Sequence, residues 1–124
     1  MMPYEKLLAW KLAHQLALEG YRITEQWPRY ELYVLTAQVR RAALSIPTNI
    51  AEGVAKSGAP EFRRFLDVSL GSTSELSYLF LFARDRGLIS IGEWERLDSK
   101  RNRVGQLVWR LYRSIQQRVN RHAH

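Results

Sequence analysis

The residues best suited to chemistry in this chain are cations. Arg96, Lys100, Arg103, Arg110, Arg118 and Arg121 recur so that, at about 100° per helical residue, all lie within about 40° of Arg96, on a strip roughly 38 Å long. Solvated helix faces ordinarily mix charge signs, whereas a strip of one sign can follow a polyanion. From residue 96 to the end, eight basic residues face a single acid, Asp98, for a net +7, while the rest of the chain balances at 11 basic and 11 acidic residues. Arginine supplies 15 of the 19 basic residues, and its planar fork suits phosphate better than a lysine ammonium does. Such asymmetry points to an electrostatic partner, with nucleic acid leading. No base-reading motif accompanies the strip, so phosphate contacts must dominate any binding.

A second constellation is polar. On the same wheel Gln38, Arg41, Ser45, Asn49 and Glu52 share an arc of about 80° beside an apolar seam, not opposite it. Polar groups in that position are costly unless hydrogen-bonded, so they should pair with one another or with Glu75. Three readings fit: a buried network that fixes helix register, a subunit contact, or contact with a ligand or nucleic acid. The pairing expected of Arg41 is with Glu52 or Glu75, and Arg40 is expected to be solvated.

Catalytic constellations are not apparent. The chain has no cysteine, which excludes disulfides, thiol nucleophiles and Cys-containing metal sites. His14 lacks the Glu-x-x-His partner of a bundle metal site and reads as an interior or interface histidine. His122 and His124 are two residues apart, a spacing that does not face one ligand on a helix. Asp67, Asp85 and Asp98 form no cluster, and Gly71-Ser72 reads as a helix-packing step, not a phosphate loop. The expectation is therefore a protein that is not an enzyme and uses no cofactor or metal.

The elements that must position these residues are helical. The 124 residues, 46% hydrophobic and 25% charged, suit one soluble domain over residues 1–124. The N-terminal stretch has neither the run of a signal peptide nor that of a membrane span, so a cytoplasmic protein is expected. Pro3 opens a first helix over about residues 4–25, which Trp27-Pro28 stops. A second helix is expected from near Tyr30 to Gly58, and a third from Pro60 to Gly87. Ser90 and Glu93 have capping-box spacing, starting a fourth that runs to about Arg121. Leu32, Leu35, Val39, Ala42, Ile46, Asn49 and Gly53, then Phe62, Phe65, Ser69, Ser72, Leu76, Leu79 and Ala83, then Trp94, Leu97, Arg101, Val104, Val108, Leu111 and Ile115 step by threes and fours. This is the seam of helices packed nearly parallel. With short links the fold is an all-α, up-down-up-down four-helix bundle.

Two local features bear on assembly and shape. Pro47 removes one amide and crowds the carbonyl of Ala43. Because the seam stays in phase across it, a kinked continuous helix is expected, a break being the alternative. The first helix is apolar on two sides, with Leu7, Trp10, His14, Ala17 and Tyr21 on one and Leu8, Leu12, Leu16 and Ile23 on the other. That surface is too wide for one bundle core, so a second subunit is expected to cover the excess.

The string from Trp27-Pro28 through Glu31, Leu35, Gln38 and Arg41-Ala42-Ala43 to SIPTNIAEG at 45–53, followed by Phe62, Phe65-Leu66, Gly71-Ser72 and Glu75-Leu76, resembles a bacterial four-helix bundle family. That family includes the intervening-sequence proteins encoded within large-subunit ribosomal RNA genes, and it is similar to the accessory variability determinant of diversity-generating retroelements. SIPTNIAEG is the specific part. Ser69 departs from an expected alanine, a change that should affect packing more than function. The resemblance implies a homopentamer of bundles and, for the retroelement branch, a basic surface that engages reverse transcriptase and nucleic acid. It does not imply catalysis. Two classes thus stand side by side: a nucleic-acid-binding oligomeric accessory protein, and a structural or protein-interaction scaffold whose basic helix only solvates the bundle.

Overall fold

A computed structural model describes residues 1–122. It contains four helices, α1 (Leu8–Thr24), α2 (Leu35–Ala55), α3 (Ala59–Asp85) and α4 (Ile91–His122), with short 3-10 turns at Pro3–Lys6 and Arg29–Glu31. Consecutive helices are neighbours and α4 closes against α1, giving the expected four-helix bundle. The contacts run antiparallel at every step. Gly20 lies against Ala43 and Val39 and Gly53 against Phe62 and Phe65, Arg63 early in α3 donates to Gln116 late in α4 at 3.0 Å, and Glu19 pairs with Arg96.

The stops and starts have local causes. Gly87 ends α3 at φ 76°, a left-handed position that glycine tolerates. There the Leu88 amide donates to the Ala83 carbonyl at 2.9 Å and the Gly87 amide to Arg84 at 3.0 Å, covering two carbonyls the helix would leave orphaned. Ser90 Oγ accepts from the Glu93 amide at 3.0 Å. Only that half of the expected capping box forms, because the Glu93 carboxylate bonds Arg22 and Arg96.

Two helix starts differ from expectation. The extended backbone of Leu7, at ψ 127°, separates the Pro3 turn from α1. The second helix begins at Leu35, not near Tyr30, because Val34 adopts φ −117° and ψ −97°, outside helical space.

The largest buried side chains include Phe80, Leu16, Ile46, Ile50, Leu66, Leu76, Leu97 and Ile115. The core-facing side of α1 corrects the two-face expectation. It consists of Ala9, Ala13, Gly20 and Thr24, which lie between the two expected faces, together with Leu16 and Ile23 from the edge of one and Ala17 from the edge of the other. A methyl group at Gly20 would sit 3.1 Å from the Ala43 Cβ, so small residues here let α1 and α2 approach closely. His14 is exposed and stacks on Trp10, with ring centroids 5.0 Å apart, instead of lying in the interior.

Helix α2 is continuous through Pro47, which is buried. The carbonyls around the proline take extra side-chain donors. Thr48 Oγ1 donates to Leu44 at 2.8 Å, Asn49 Nδ2 to Ser45 at 2.8 Å, and Ser69 Oγ of α3 to Ile46 at 2.6 Å. The amide that Pro47 lacks would have served the Ala43 carbonyl; these three donors bond the next three carbonyls instead and brace the turn around the proline, one of them from the neighbouring helix. Ser69 is fully buried, so its departure from alanine contributes a hydrogen bond as well as volume.

Candidate nucleic-acid interface

The polar constellation separates into two parts. Asn49 Nδ2 also donates to Ser45 Oγ at 3.0 Å, and Ser72 Oγ of α3 donates to the same oxygen at 2.8 Å. Ser45 and Asn49 therefore join the proline turn, and with Ser69 and Ser72 they pin α2 to α3 in one register. Gln38, Arg41, Glu52 and Glu75 are exposed within the single chain. Among the described residues Arg41 has no ion-pair partner, so the expected bridge to Glu52 or Glu75 does not form. Arg40 is the bonded one of the two. Its Nε donates to Thr24 Oγ1 at 2.9 Å and its guanidinium lies 4.8 Å from the centre of the Tyr21 ring. It fastens α2 to the end of α1, which overturns the expectation that it is solvated. The two arginines are adjacent, so a turn of about 100° decides which meets the neighbouring helix.

Helix α4 carries the cation strip, and Arg96 must be removed from it. Its guanidinium donates to Glu93 at 3.0 Å and to both oxygens of Glu19 on α1, at 3.2 and 3.0 Å. Arg22 bonds the same two carboxylates. The four side chains form a closed ion cluster between the end of α1 and the start of α4. The Arg96 hydrogen bond, helped by Arg22, holds Glu19 down at about 2 and lowers Glu93 as well. The Arg96 charge is thus spent inside the bundle, on acids 77 and 3 residues away.

Beyond this cluster the balance changes. Residues 99–122 contain no acid and seven cations. Arg101 lies at 2.9 Å from Asp98. Lys100, Arg103, Arg110, Arg113, Arg118 and Arg121 are exposed and, among the described residues, have no ion-pair partner. The strip that remains from Lys100 to Arg121 is about 32 Å long. At its start Lys100 and Arg103 form the rim of a groove between α4 and α1, whose floor is Leu12, Leu16 and Val104. Arg103 and Arg110 stand on the outer shoulder while Leu97, Val104, Val108 and Ile115 of the same helix are buried. His124 lies outside the described residues. Among the described residues no group of three or more His, Asp or Glu side chains is placed to hold a metal ion, and no helix is long and apolar enough to cross a membrane.

A model of the 23S rRNA-intervening sequence proteins matches residues 5–110. The chain belongs to that family. The match takes in the proline turn and the first half of the cation strip. A solved structure of a protein of unknown function from the S23 ribosomal protein family of Bacteroides thetaiotaomicron superposes with a TM-score of 0.76 at 17% identity, covering 85% of this chain and 98% of that one. At that identity the likeness speaks for the fold. No curated protein matches.

Proposed function

We propose that this intervening-sequence family member is a non-enzymatic, oligomeric accessory protein that binds RNA or DNA through phosphate contacts along α4. The observation that carries this reading is the contrast within one helix. Arg96 and Arg101 are neutralised by nearby carboxylates, whereas five strip cations, Lys100, Arg103, Arg110, Arg118 and Arg121, have no acid on their helix after Asp98. The family's link to 23S rRNA makes RNA the first polyanion to try. Binding by phosphate contact releases counterions, so affinity should fall steeply with salt.

Oligomerisation is supported by apolar surface that the single chain leaves uncovered. Tyr78 (61% exposed) and Phe82 stand beside Val34 over a groove between α2 and α3, and Leu8 and Leu18 are exposed on α1. A homopentamer, the assembly the resemblance implies, would repeat the strip five times and multiply weak contacts through effective concentration.

The test is a titration of RNA and DNA against the full chain at several salt concentrations, with the mass measured by light scattering. Arg103→Glu with Arg110→Glu should weaken binding to all sequences alike and flatten the salt slope. No binding at ~50 mM salt, a regime that favours phosphate contact, would leave the scaffold reading in its place. A monomer at micromolar concentration would remove the oligomer.

A further inference from the structure

Helix α4 carries a second feature that phosphate binding does not use. Trp109 and Tyr112, one turn apart, stack with ring centroids 5.6 Å apart and planes 12° from parallel. The indole remains 49% exposed. Tyr30, Tyr33 and Tyr78 are also exposed but lie on other elements, away from the α4 cations, and several other rings are covered. Arg84 lies over Trp94, Arg40 over Tyr21, and Lys56 and Arg64 over Phe65, while the imidazole of His14 covers Trp10. Among the described residues no cation of the protein covers Trp109.

Its surroundings are cationic. On the helical wheel Arg113 lies about 40° from Trp109 and Arg110 about 100° away, with Arg103 just beyond. In order around the outer face of α4 come the indole, Arg113, Arg110 and Arg103, over a rise of about 15 Å. A backbone whose phosphates follow these arginines passes within one helix face of an open, pre-oriented indole. Every nucleobase has a π face, and stacking on such a ring is available only where the base is unpaired.

We propose that the Trp109–Tyr112 stack is a platform for an unpaired nucleobase, so that the protein prefers single-stranded to duplex nucleic acid. The α4 face of a second copy is a poorer occupant, since it would bring like charge against Arg110 and Arg113, and the apolar groove at Val34, Tyr78 and Phe82 suits a copy better. The proposal rests on the phosphate-binding reading of α4 and adds to it the form of the ligand.

The experiment compares a labelled mixed-sequence single strand with its duplex, in RNA and in DNA, by fluorescence anisotropy on the full-length protein. Trp109→Leu should weaken single-strand binding roughly 5- to 150-fold and leave duplex binding and the salt slope unchanged. Trp109→Phe, which keeps an aromatic face, should recover most of the loss. Arg103→Glu with Arg110→Glu should instead weaken both forms and flatten the slope. If the wild type binds neither form, the phosphate-binding reading fails and the platform with it. If the wild type binds both and Trp109→Leu changes neither, or both equally, only the platform is overturned. A change in oligomeric mass on Trp109→Leu makes the face a contact between copies, and that also overturns it.

Discussion

The turn around Pro47 and the outer face of α4 treat polar groups in opposite ways. At the turn, side chains from two helices converge on three carbonyls: Thr48 and Asn49 from α2, and Ser69 from α3, with Ser45 and Ser72 bonded beside them. Along α4, exposed cations follow one another without an acid from residue 99 onward. A satisfied network in the interior stabilises one arrangement of the chain. Unsatisfied charge on the outside does nothing for the fold and is available to a partner. Ser45, Ile46, Pro47, Thr48, Asn49, Ile50 and Gly53 of the specific string SIPTNIAEG are thus explained by architecture, and the less distinctive C-terminal helix carries the features suited to binding.

The largest expected effect that would break this contrast lies on the interior side. A Cβ at Gly53 would approach Phe62 Cδ1 to 2.8 Å and Phe65 Cβ to 3.0 Å. The phenyl ring can shift, but the Phe65 Cβ is fixed to its backbone. Gly53→Val should therefore cost about 3 kcal/mol by forcing α2 and α3 apart, read as a lower midpoint in urea unfolding. A variant as stable as the wild type would show that the two helices are not held at this distance.

Next in size is Ser69→Ala, which removes the buried side-chain hydrogen bond to the Ile46 carbonyl and should cost about 1 kcal/mol. Glu52→Ala, in the same specific string but exposed, should stay within about 0.5 kcal/mol. The neighbouring arginines sharpen the point. Arg40→Ala loses the Thr24 bond and the Tyr21 contact and should cost about 1 kcal/mol, whereas Arg41→Ala should be nearly silent. The reverse order in thermal melts would mean that Arg41 is engaged in the assembled protein, at a subunit contact.

These pairs also mark what could be read without the structure. The seams of α2, α3 and α4 were legible because large apolar side chains recur at steps of three and four, and Leu76, Leu97, Val104 and Ile115 are all buried. The buried side of α1 was legible only in part, through Leu16, Ala17 and Ile23, because Ala9, Ala13 and Gly20 contribute little to any hydrophobic pattern. They are valuable for the close approach they allow, which depends on the helix opposite. Ser45 and Asn49 were recognised as a polar seam, but their donors and acceptors belong to a proline turn and to Ser69 and Ser72, 27 residues away in the case of Ser72. Arg96 was read as free for the same reason, since its partner Glu19 is distant in sequence. A wheel shows which residues share a face, while the neighbour's charge decides whether that face is available.

The ion cluster gives an intermediate case. The carboxyl of Glu19 is held at about 2 by Arg96 and Arg22, below its ordinary 4.5, so it favours the folded state most when ionised in both states. That contribution is complete above about pH 4.5 and is lost as pH falls toward 2. Glu19→Gln should cost about 1–2 kcal/mol at neutral pH, less than the full shift implies because the group is partly solvated. The difference from wild type should vanish near pH 2. A difference independent of pH would assign the loss to packing.

The smallest expected effect has the opposite sign. Lys100 with Arg103, Arg110 with Arg113, and Arg118 with Arg121 each stand three residues apart on a helix, where like charges repel by a few tenths of a kcal/mol per pair. Arg110→Glu turns one repulsion into an attraction with Arg113, and Arg103→Glu does the same with Lys100. The double reversal should therefore stabilise the free protein by about 0.5 kcal/mol at low salt, and most of the gain should disappear at high ionic strength, where exposed charges are screened. Measured in the same variant that is expected to lose polyanion binding, this gain separates the two roles of the strip: the charges that weaken the isolated bundle are those that a phosphate backbone would neutralise. If the reversal instead lowers the melting temperature, Arg103 or Arg110 makes a stabilising contact in the assembled protein, and the contrast between a satisfied interior and an unsatisfied outer face no longer holds along α4.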